Sequence, residues 1–531
     1  MSTPVGSPTP WSYVLIRLLF RFVLKIFYGS IVIENTEFVP ETGKPCIVCA
    51  NHSNSLTDAL MLITSVPPQK RNMLRMTAKA SIFGQRNFTS WLIESTGTVP
   101  IQRRKDNADG TADNTQVMLK LMEAVEMGDA VCMFPEGISR FHPEIAPLKT
   151  GVARMVTDIL GRNRDNPDFE ISVLPCAITY MHRQHFRSDV LVTFQKPLVF
   201  SPKTHPELVP PVDFADVKRV TQDLQESISS GLLDAPKWEL IRSAKLAAGM
   251  YAPLGTRMPL GEYVRLARKF LELFKSCQTD GIDVDTSASV DPPAVRELCR
   301  DLKAYQDQLA RWGVKDDRIR RPPLRRPVIL FRMSIRLTWL IILLTTSLPG
   351  LILWAPVFLT TYIAVRSFKK TGPVLDTWDE IAQYKLIYGL LSGGVVWALV
   401  VIFTWPIAFI TIPLTPAMMW ITLRWFEDTV STFRAFTALY RLLQIGKPAL
   451  KRMREQRIDL HSRVANLAMN VLGLPAEPEK HFAKIGGREK GRITGDWDER
   501  ARYFSIKRRR KRDWNEVLRL YDKVDYPVED N

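Results

Sequence analysis

Apolar residues follow three different rhythms along this chain. Between Val14 and Phe27 they cover most of a helical surface, while Arg17, Arg21 and Lys25 recur every four residues as one basic stripe. For residues 1–30 that arrangement predicts an amphipathic helix in a bilayer interface, its cations extended toward phosphates. From Ile31 to about Phe200, short β-branched runs alternate with helix-like segments, the pattern of an α/β domain over 31–205. Strands are predicted at Ile31 to Glu34, Pro45 to Ala50, Met73 to Ala78, Thr98 to Ile101, Ala130 to Phe134, Ile171 to Thr179 and Val190 to Phe194, and helices at Gln85 to Glu94, Asn114 to Glu126 and Thr150 to Leu160. Residues 206–330 read as charged amphipathic helices, among them Tyr263 to Ser276 and Ala294 to Trp312, interrupted by the polar linker Thr279 to Val290. They predict a helical appendage that holds no catalytic group.

The third rhythm is the absence of charge. Leu337 to Val365 contains no charged residue and is long enough to span a bilayer, with Pro349, Gly350 and Pro356 predicting a bent or re-entrant path. A second uncharged run, Leu386 to Leu423, would extend about 57 Å as a straight helix against a hydrocarbon core of roughly 30 Å. It must turn back or lie partly in the interface, and Pro406, Pro413 and Pro416 are the expected breaks. A transmembrane region over 331–430 follows from this pattern. The polar region after it, 431–531, carries six consecutive cations from Lys507 to Arg512 and is expected to be a solvated, basic cytosolic tail.

Composition sharpens the picture at three points. A length of 531 residues exceeds what one core organises, so the catalytic domain needs at least one companion region. The net charge of +17 is compatible with nucleic acid, an anionic membrane or an anionic substrate. The basic cluster Arg318, Arg320, Arg321, Arg325, Arg326, Arg332 and Arg336, just ahead of the first uncharged run, favours anionic headgroups and positive-inside anchoring over nucleic acid. Six scattered cysteines are expected to be reduced and cytosol-facing, and the first apolar stretch lacks the small-residue cleavage site of a removable signal peptide.

Candidate chemistry begins at Cys49-Ala50-Asn51-His52-Ser53-Asn54-Ser55-Leu56-Thr57-Asp58, directly after an apolar strand. A histidine just past a strand end is rigidly held yet open to a cleft. An aspartate a few residues on can accept from one ring nitrogen and leave the other to take a proton. Gly97 to Arg103 places a guanidinium beyond another strand, suited to bidentate contact with a phosphate. Phe134-Pro135-Glu136-Gly137 ends a third strand with a carboxylate and a glycine that permits close backbone approach, and Val173-Leu174-Pro175 sits within a fourth. Lys149, near a predicted helix start, could face a phosphate, and Arg104, Lys105 and Arg140 are candidates of similar weight. Cys46 and Cys49 read as core packing, His182 and His185 as a surface strand end, and the Asp283 and Asp285 region lacks the marks of a calcium loop, so no metal or organic cofactor is expected.

In this order, over about Cys49 to Tyr180, these segments resemble the four motifs of the glycerol-phosphate and lysophosphatidate acyltransferase family, and in particular its fungal glycerol-3-phosphate and dihydroxyacetone-phosphate branch; Pro147 to Ala153 resembles that branch's extended third block. The resemblance implies a mixed sheet flanked by helices, with His52 as general base, Asp58 as its partner, and Arg103, Glu136 and Gly137 as the phosphate and acceptor site. It implies acyl-CoA as co-substrate, glycerol 3-phosphate or dihydroxyacetone phosphate as acceptor, and the endoplasmic reticulum membrane as location. Five residues separate His52 from Asp58 where the common family spacing is four, so a loop must bring the pair together. Ile138 stands where many relatives carry a small or hydroxylated residue. A lysophospholipid acceptor and a non-catalytic membrane scaffold are the alternative readings, and the His52, Asp58, Arg103 and Glu136 set argues against the second.

Overall fold

The computed structural model describes residues 6–102, 114–183, 188–252, 260–278, 291–320, 324–371, 380–478 and 481. Arg103, Arg104, Lys105, His185, Asp283, Asp285, the linker at 279–290 and the cation run at 507–512 lie outside the described residues. The chain divides into two compact units, Met1–Asp234 with Val374–Gln383, and Ala235–Pro373 with Tyr384–Asn531.

The first unit is built on a mixed sheet of β1 (Ser30–Glu34), β2 (Cys46–Ala50), β3 (Leu74–Lys79), β4 (Val99–Ile101), β5 (Ala130–Met133), β6 (Ile171–Tyr180), β7 (Asp189–Phe194) and β8 (Leu198–Phe200). The order is β1-β7-β6-β2-β5-β3-β4, with β8 paired to β6. Central β2 runs parallel to both β5 and β6, whereas β7 and β8 run antiparallel to β6. Continuous apolar composition explains β2, and the apolar run Val190 to Val192 with Phe194 most of β7; every residue of both strands is buried, as in a strand covered on both faces. All seven predicted strands form; β8, which follows β7 after three residues, is not among them.

Helices α1 (Trp11–Phe27), α2 (Leu56–Ser65), α3 (Phe88–Ser95), α4 (Thr115–Glu126), α5 (Gly151–Arg162) and α6 (Phe214–Ser229) flank this sheet. One core joins Ile47, Cys49, Val131 and Val173 of the sheet to Leu121 and Val125 of α4, Val152, Val156 and Leu160 of α5, and Val220 and Leu224 of α6. Helix α6 thus packs in this unit, against α5 and β6, although its sequence reads like the helices that follow it. Helix α2 escaped prediction because Leu60, Met61, Leu62 and Ile63 are all buried, leaving no polar face to set a helical period.

Helix α1 has two apolar faces. Tyr13, Ile16, Phe20, Leu24 and Phe27 are buried, and Tyr13 Oη accepts the β3 amide of Leu74 at 3.0 Å. Trp11, Val14, Leu15, Leu18 and Phe22 form an exposed stripe. Arg17, expected to reach for phosphates, donates instead to the backbone oxygens of Val66 and Asn72, where it satisfies a carbonyl past the end of α2.

The second unit starts with α7 (Trp238–Tyr251), α8 (Leu260–Ser276), α9 (Pro292–Trp312) and α10 (Asp316–Arg320). It continues through three helices long and apolar enough to cross a membrane, α11 (Arg326–Thr371), α12 (Ile381–Phe403) and α13 (Ala408–Ile445), of which the first residues of α12 are counted with the first unit. Instead of breaking into a re-entrant path, α11 continues as one helix through Pro349 and Pro356. The second apolar run breaks only at Pro406, in the single turn Trp405–Ile407; Pro413 and Pro416 stay inside α13. One reason is visible. Pro416 has no N–H to return to the carbonyl of Ile412, and the indole N–H of Trp397 on α12 donates to that oxygen at 3.0 Å. At Gly350 a β-carbon would stand 2.6 Å from Thr422 Cβ, so only glycine allows α11 and α13 to approach this closely.

The expected solvated tail is in part helical. Helix α14 (Lys447–Asn470) buries Met453, Leu460, Val464 and Ala468 along one face and packs on α7, α9 and α10. Arg457 forms a bidentate pair with Asp316 at 2.8 and 2.9 Å, and Arg463 meets Asp301 at 2.6 Å. The apolar period of α14 is masked in the sequence by the many cations on its other faces.

Candidate active site

Because β2, β5 and β6 are neighbouring parallel strands, their carboxyl ends emerge side by side, and the segments that leave them must meet. His52 follows β2 by two residues, Phe134–Gly137 follows β5 directly, and Tyr180 is the last residue of β6. Asn51 pins the exit from β2: its side chain donates to Ile178 O at 3.2 Å and accepts from Ile178 N at 2.8 Å.

His52 Nδ1 lies 3.0 Å from Asp58 Oδ2. Asp58 is the third residue of α2 and completely buried, while 19% of the His52 side chain is exposed. The loop between them wraps the carboxylate, with Ser53 N and Asn54 N donating to Oδ2 at 2.9 and 2.7 Å. Oδ1 accepts from the Tyr180 hydroxyl at 2.6 Å. Four donors converge on one carboxylate, an arrangement in which His52 Nδ1 carries the proton and Nε2 presents a lone pair. The five-residue spacing is absorbed at Ser55, which adopts φ 47°, ψ −133°. That conformation costs a non-glycine residue on the order of 1–3 kcal/mol and is held by the bond from Ser55 N to Ser139 Oγ at 3.0 Å.

The turn after β5 clamps the His52 backbone from both sides. Glu136 Oε1 accepts from His52 N at 2.6 Å, and Arg140 N donates to His52 O at 3.1 Å. The Phe134 ring stacks on the imidazole with centroids 4.1 Å apart. Glu136 is buried, and burial pushes its carboxyl up to about 7 despite the opposing amide of His52. Its second oxygen faces Ala146 N at 3.4 Å, so the observed partners of Glu136 are main-chain groups.

Gly137 has φ +71°, and a β-carbon there would meet Lys149 Cε and Cδ at 2.8 and 2.9 Å. Lys149 N donates to Pro135 O at 2.9 Å, which places its exposed side chain across the turn. Gly137→Ala should therefore displace Lys149 and cost about 1–2 kcal/mol through the left-handed backbone alone. A thermal unfolding curve identical to wild type would show that neither constraint operates.

The fold thus brings together His52, Asp58, Glu136, Gly137 and Lys149. Arg103 lies outside the described residues; β4, which it follows, is three strands from β2, on the order of 14 Å across the sheet. His182, expected at a surface, is buried, and its amide donates to Ser188 Oγ at 2.8 Å. Cys46 and Cys49 are buried in β2, and burial pushes the Cys46 thiol up to about 11. Sequence reading missed Tyr180 and also Arg183, a buried guanidinium that stacks on Phe141 at 3.9 Å and donates to Ser53 O. Neither carries a local signal, since each reaches the site only through the pairing of β6 with β2.

Residues 30–179 match the acyltransferase family, and residues 244–473 match the family described as Glycerol-3-phosphate acyltransferase 2 C-terminal domain. An uncharacterized acyltransferase of Schizosaccharomyces pombe is 26% identical over 69% of this chain and 55% of its own length. Glycerol-3-phosphate O-acyltransferases 2 and 1 of Saccharomyces cerevisiae are 22% and 25% identical, over 73% and 52% of this chain and 64% and 36% of theirs. The chain therefore spans between about a third and two thirds of the length of these relatives. Among solved structures, a 1-acyl-sn-glycerophosphate acyltransferase from Thermotoga maritima is similar at 18% identity and a TM-score of 0.27, over 40% of this chain and 79% of that one. Its two family matches and its curated relatives make this chain similar to the yeast glycerol-3-phosphate O-acyltransferases in both its α/β region and its C-terminal helical region.

Proposed function

We propose that this protein transfers a fatty acyl group from acyl-CoA to the sn-1 hydroxyl of glycerol 3-phosphate, dihydroxyacetone phosphate or both, the entry step of phosphatidic acid synthesis. The observation that carries the reading is the His52–Asp58 pair, with Nδ1 held and Nε2 without a partner among the described residues. Nε2 takes the proton of the acceptor hydroxyl as its oxygen attacks the thioester carbonyl; the carbon–sulfur bond breaks, and the imidazolium returns the proton as CoA thiol leaves. Asp58 stabilises the imidazolium meanwhile. No acyl-enzyme is needed, because a thiolate is a good leaving group.

Arg103 and Lys149 are the cations proposed for the acceptor phosphate, with Glu136 and Gly137 shaping the turn beside it. Purified protein should form labelled lysophosphatidate from labelled acyl-CoA and glycerol 3-phosphate, or its keto analogue from dihydroxyacetone phosphate. Product from lysophosphatidate alone would replace this acceptor with a lysolipid. Arg103→Ala should raise the acceptor KM at least about tenfold with little change for acyl-CoA, as the loss of a charge-assisted contact requires. Unchanged acceptor kinetics would remove that residue from the site.

We also place the protein in the endoplasmic reticulum membrane as a multi-pass protein with its catalytic domain toward cytosolic acyl-CoA. The exposed apolar stripe of α1 supports contact with the bilayer surface. Because α14 packs on α7, α9 and α10, the segments before α11 and after α13 lie together, which supports an even number of complete crossings. In sealed vesicles, cysteines replacing the exposed Glu297 and Asp459 should react with an impermeant maleimide from the same side. Labelling from opposite sides would overturn this topology.

A further inference from the structure

We propose that Tyr180 is a positioning residue for the His52–Asp58 pair, its hydroxyl fixing the rotation of the carboxylate that holds the imidazole. The inference rests on the base role given to His52 above. Asp58 Oδ2 gathers three donors, His52 Nδ1, Ser53 N and Asn54 N, at 3.0, 2.9 and 2.7 Å. Oδ1 accepts from Tyr180 alone among the described residues, at 2.6 Å, and the carboxylate is wholly buried. Rotation about the Cβ–Cγ bond of an aspartate is soft, and three bonds to one oxygen restrain it poorly. The fourth, from the opposite edge, makes the orientation unique.

Tyr180 is itself held. It ends β6, where its neighbours pair with β7, and its ring lies 5.9 Å from that of Tyr28, whose hydroxyl accepts from Asn54 Nδ2 at 3.1 Å. Asn54 is the residue whose amide also binds Asp58, so β6, the end of α1 and the catalytic loop converge on one acid. Burial, with Asp58 adding to it, holds the Tyr180 phenol well above its ordinary range, which keeps the O–H in place as a donor. Without that donor, Oδ1 is a buried acceptor with no partner, and the carboxylate gains by turning toward any other. Tyr180 touches the acid rather than the imidazole, so its influence on the reaction passes through Asp58.

Tyr180→Phe removes one hydroxyl and keeps the ring that packs in the core. It is expected to lower kcat about tenfold with both KM values within about twofold of wild type. In an Asp58→Asn background the same change should cost less than about twofold, because the group through which the tyrosine acts is already gone. Equal losses in both backgrounds, or a loss confined to KM, would overturn the proposal. A substrate-free measurement separates it from the reading on which it rests. Modification of His52 by diethyl pyrocarbonate, followed by peptide mass spectrometry, should be at least about threefold faster in Tyr180→Phe, since a loosened imidazole is more often exposed. An unchanged rate refutes the positioning role whatever the acceptor proves to be. A faster rate in a protein that acylates no glycerol phosphate or lysolipid would refute the acyl-transfer reading and leave the role of the tyrosine standing.

Discussion

Replacing His52 with alanine is expected to lower the turnover of acyl-CoA with a glycerol phosphate by about 10²- to 10⁴-fold, the range for loss of a positioned general base. The substitution removes the ring and its stacking on Phe134 but leaves the two bonds that place this segment, since Glu136 accepts from the His52 main-chain N–H and Arg140 donates to the His52 carbonyl. Folding should therefore persist, and the loss should fall on kcat rather than on either KM. Membranes carrying the variant at wild-type abundance are the right material for the assay. Activity within about tenfold of wild type would mean that some other group takes the proton.

Asp58→Asn should be nearly as damaging and more revealing. An asparagine offers one acceptor oxygen and one NH2 where the aspartate offers two acceptors, yet the site presents donors on both edges: Ser53 N, Asn54 N and His52 Nδ1 on one, the Tyr180 hydroxyl on the other. Turned one way, its N–H groups oppose the donors on the Oδ2 edge; turned the other way, they are met only if the Tyr180 hydroxyl gives up its donor role and rotates to accept. If they face His52, they favour the tautomer with the proton on Nε2, which cannot act as a base. In the serine-protease triad the corresponding substitution costs about 10⁴-fold in kcat for the same reason. A loss of about 10²- to 10⁴-fold in kcat with KM largely retained is expected, together with a lower unfolding temperature from the buried donor conflict. Retention of kcat with a raised acceptor KM would reassign Asp58 from orienting the base to binding substrate.

Both predictions concern a pair that could be proposed without coordinates, because a histidine after an apolar strand and an acid six positions later are local facts of the chain. Local pattern also sufficed for seven of the eight strands and for the uncharged runs, since burial of a central strand, or immersion in hydrocarbon, favours apolar residues at most positions. It failed where burial and helical period conflict. Helix α2 has no polar face, and α14 carries a buried stripe under an excess of cations. It failed again at the prolines of α13, one of which is tolerated because Trp397 of another helix satisfies the carbonyl it frees.

The sequence by itself determined which residues are available for proton transfer, which stretches can lie in lipid, and that an α/β domain precedes them. Tertiary structure alone decided what surrounds the acid. Tyr180 stands 122 positions from Asp58 in the chain, and only the parallel pairing of β6 with β2 brings its hydroxyl to that carboxylate. Likewise Glu136, readable as a ligand for substrate, binds the main chain of His52 once β5 pairs with β2. The physical reason is common to both: a hydrogen bond acts over about 3 Å and depends on direction, and neither quantity is encoded in residue type or spacing until strand order is set.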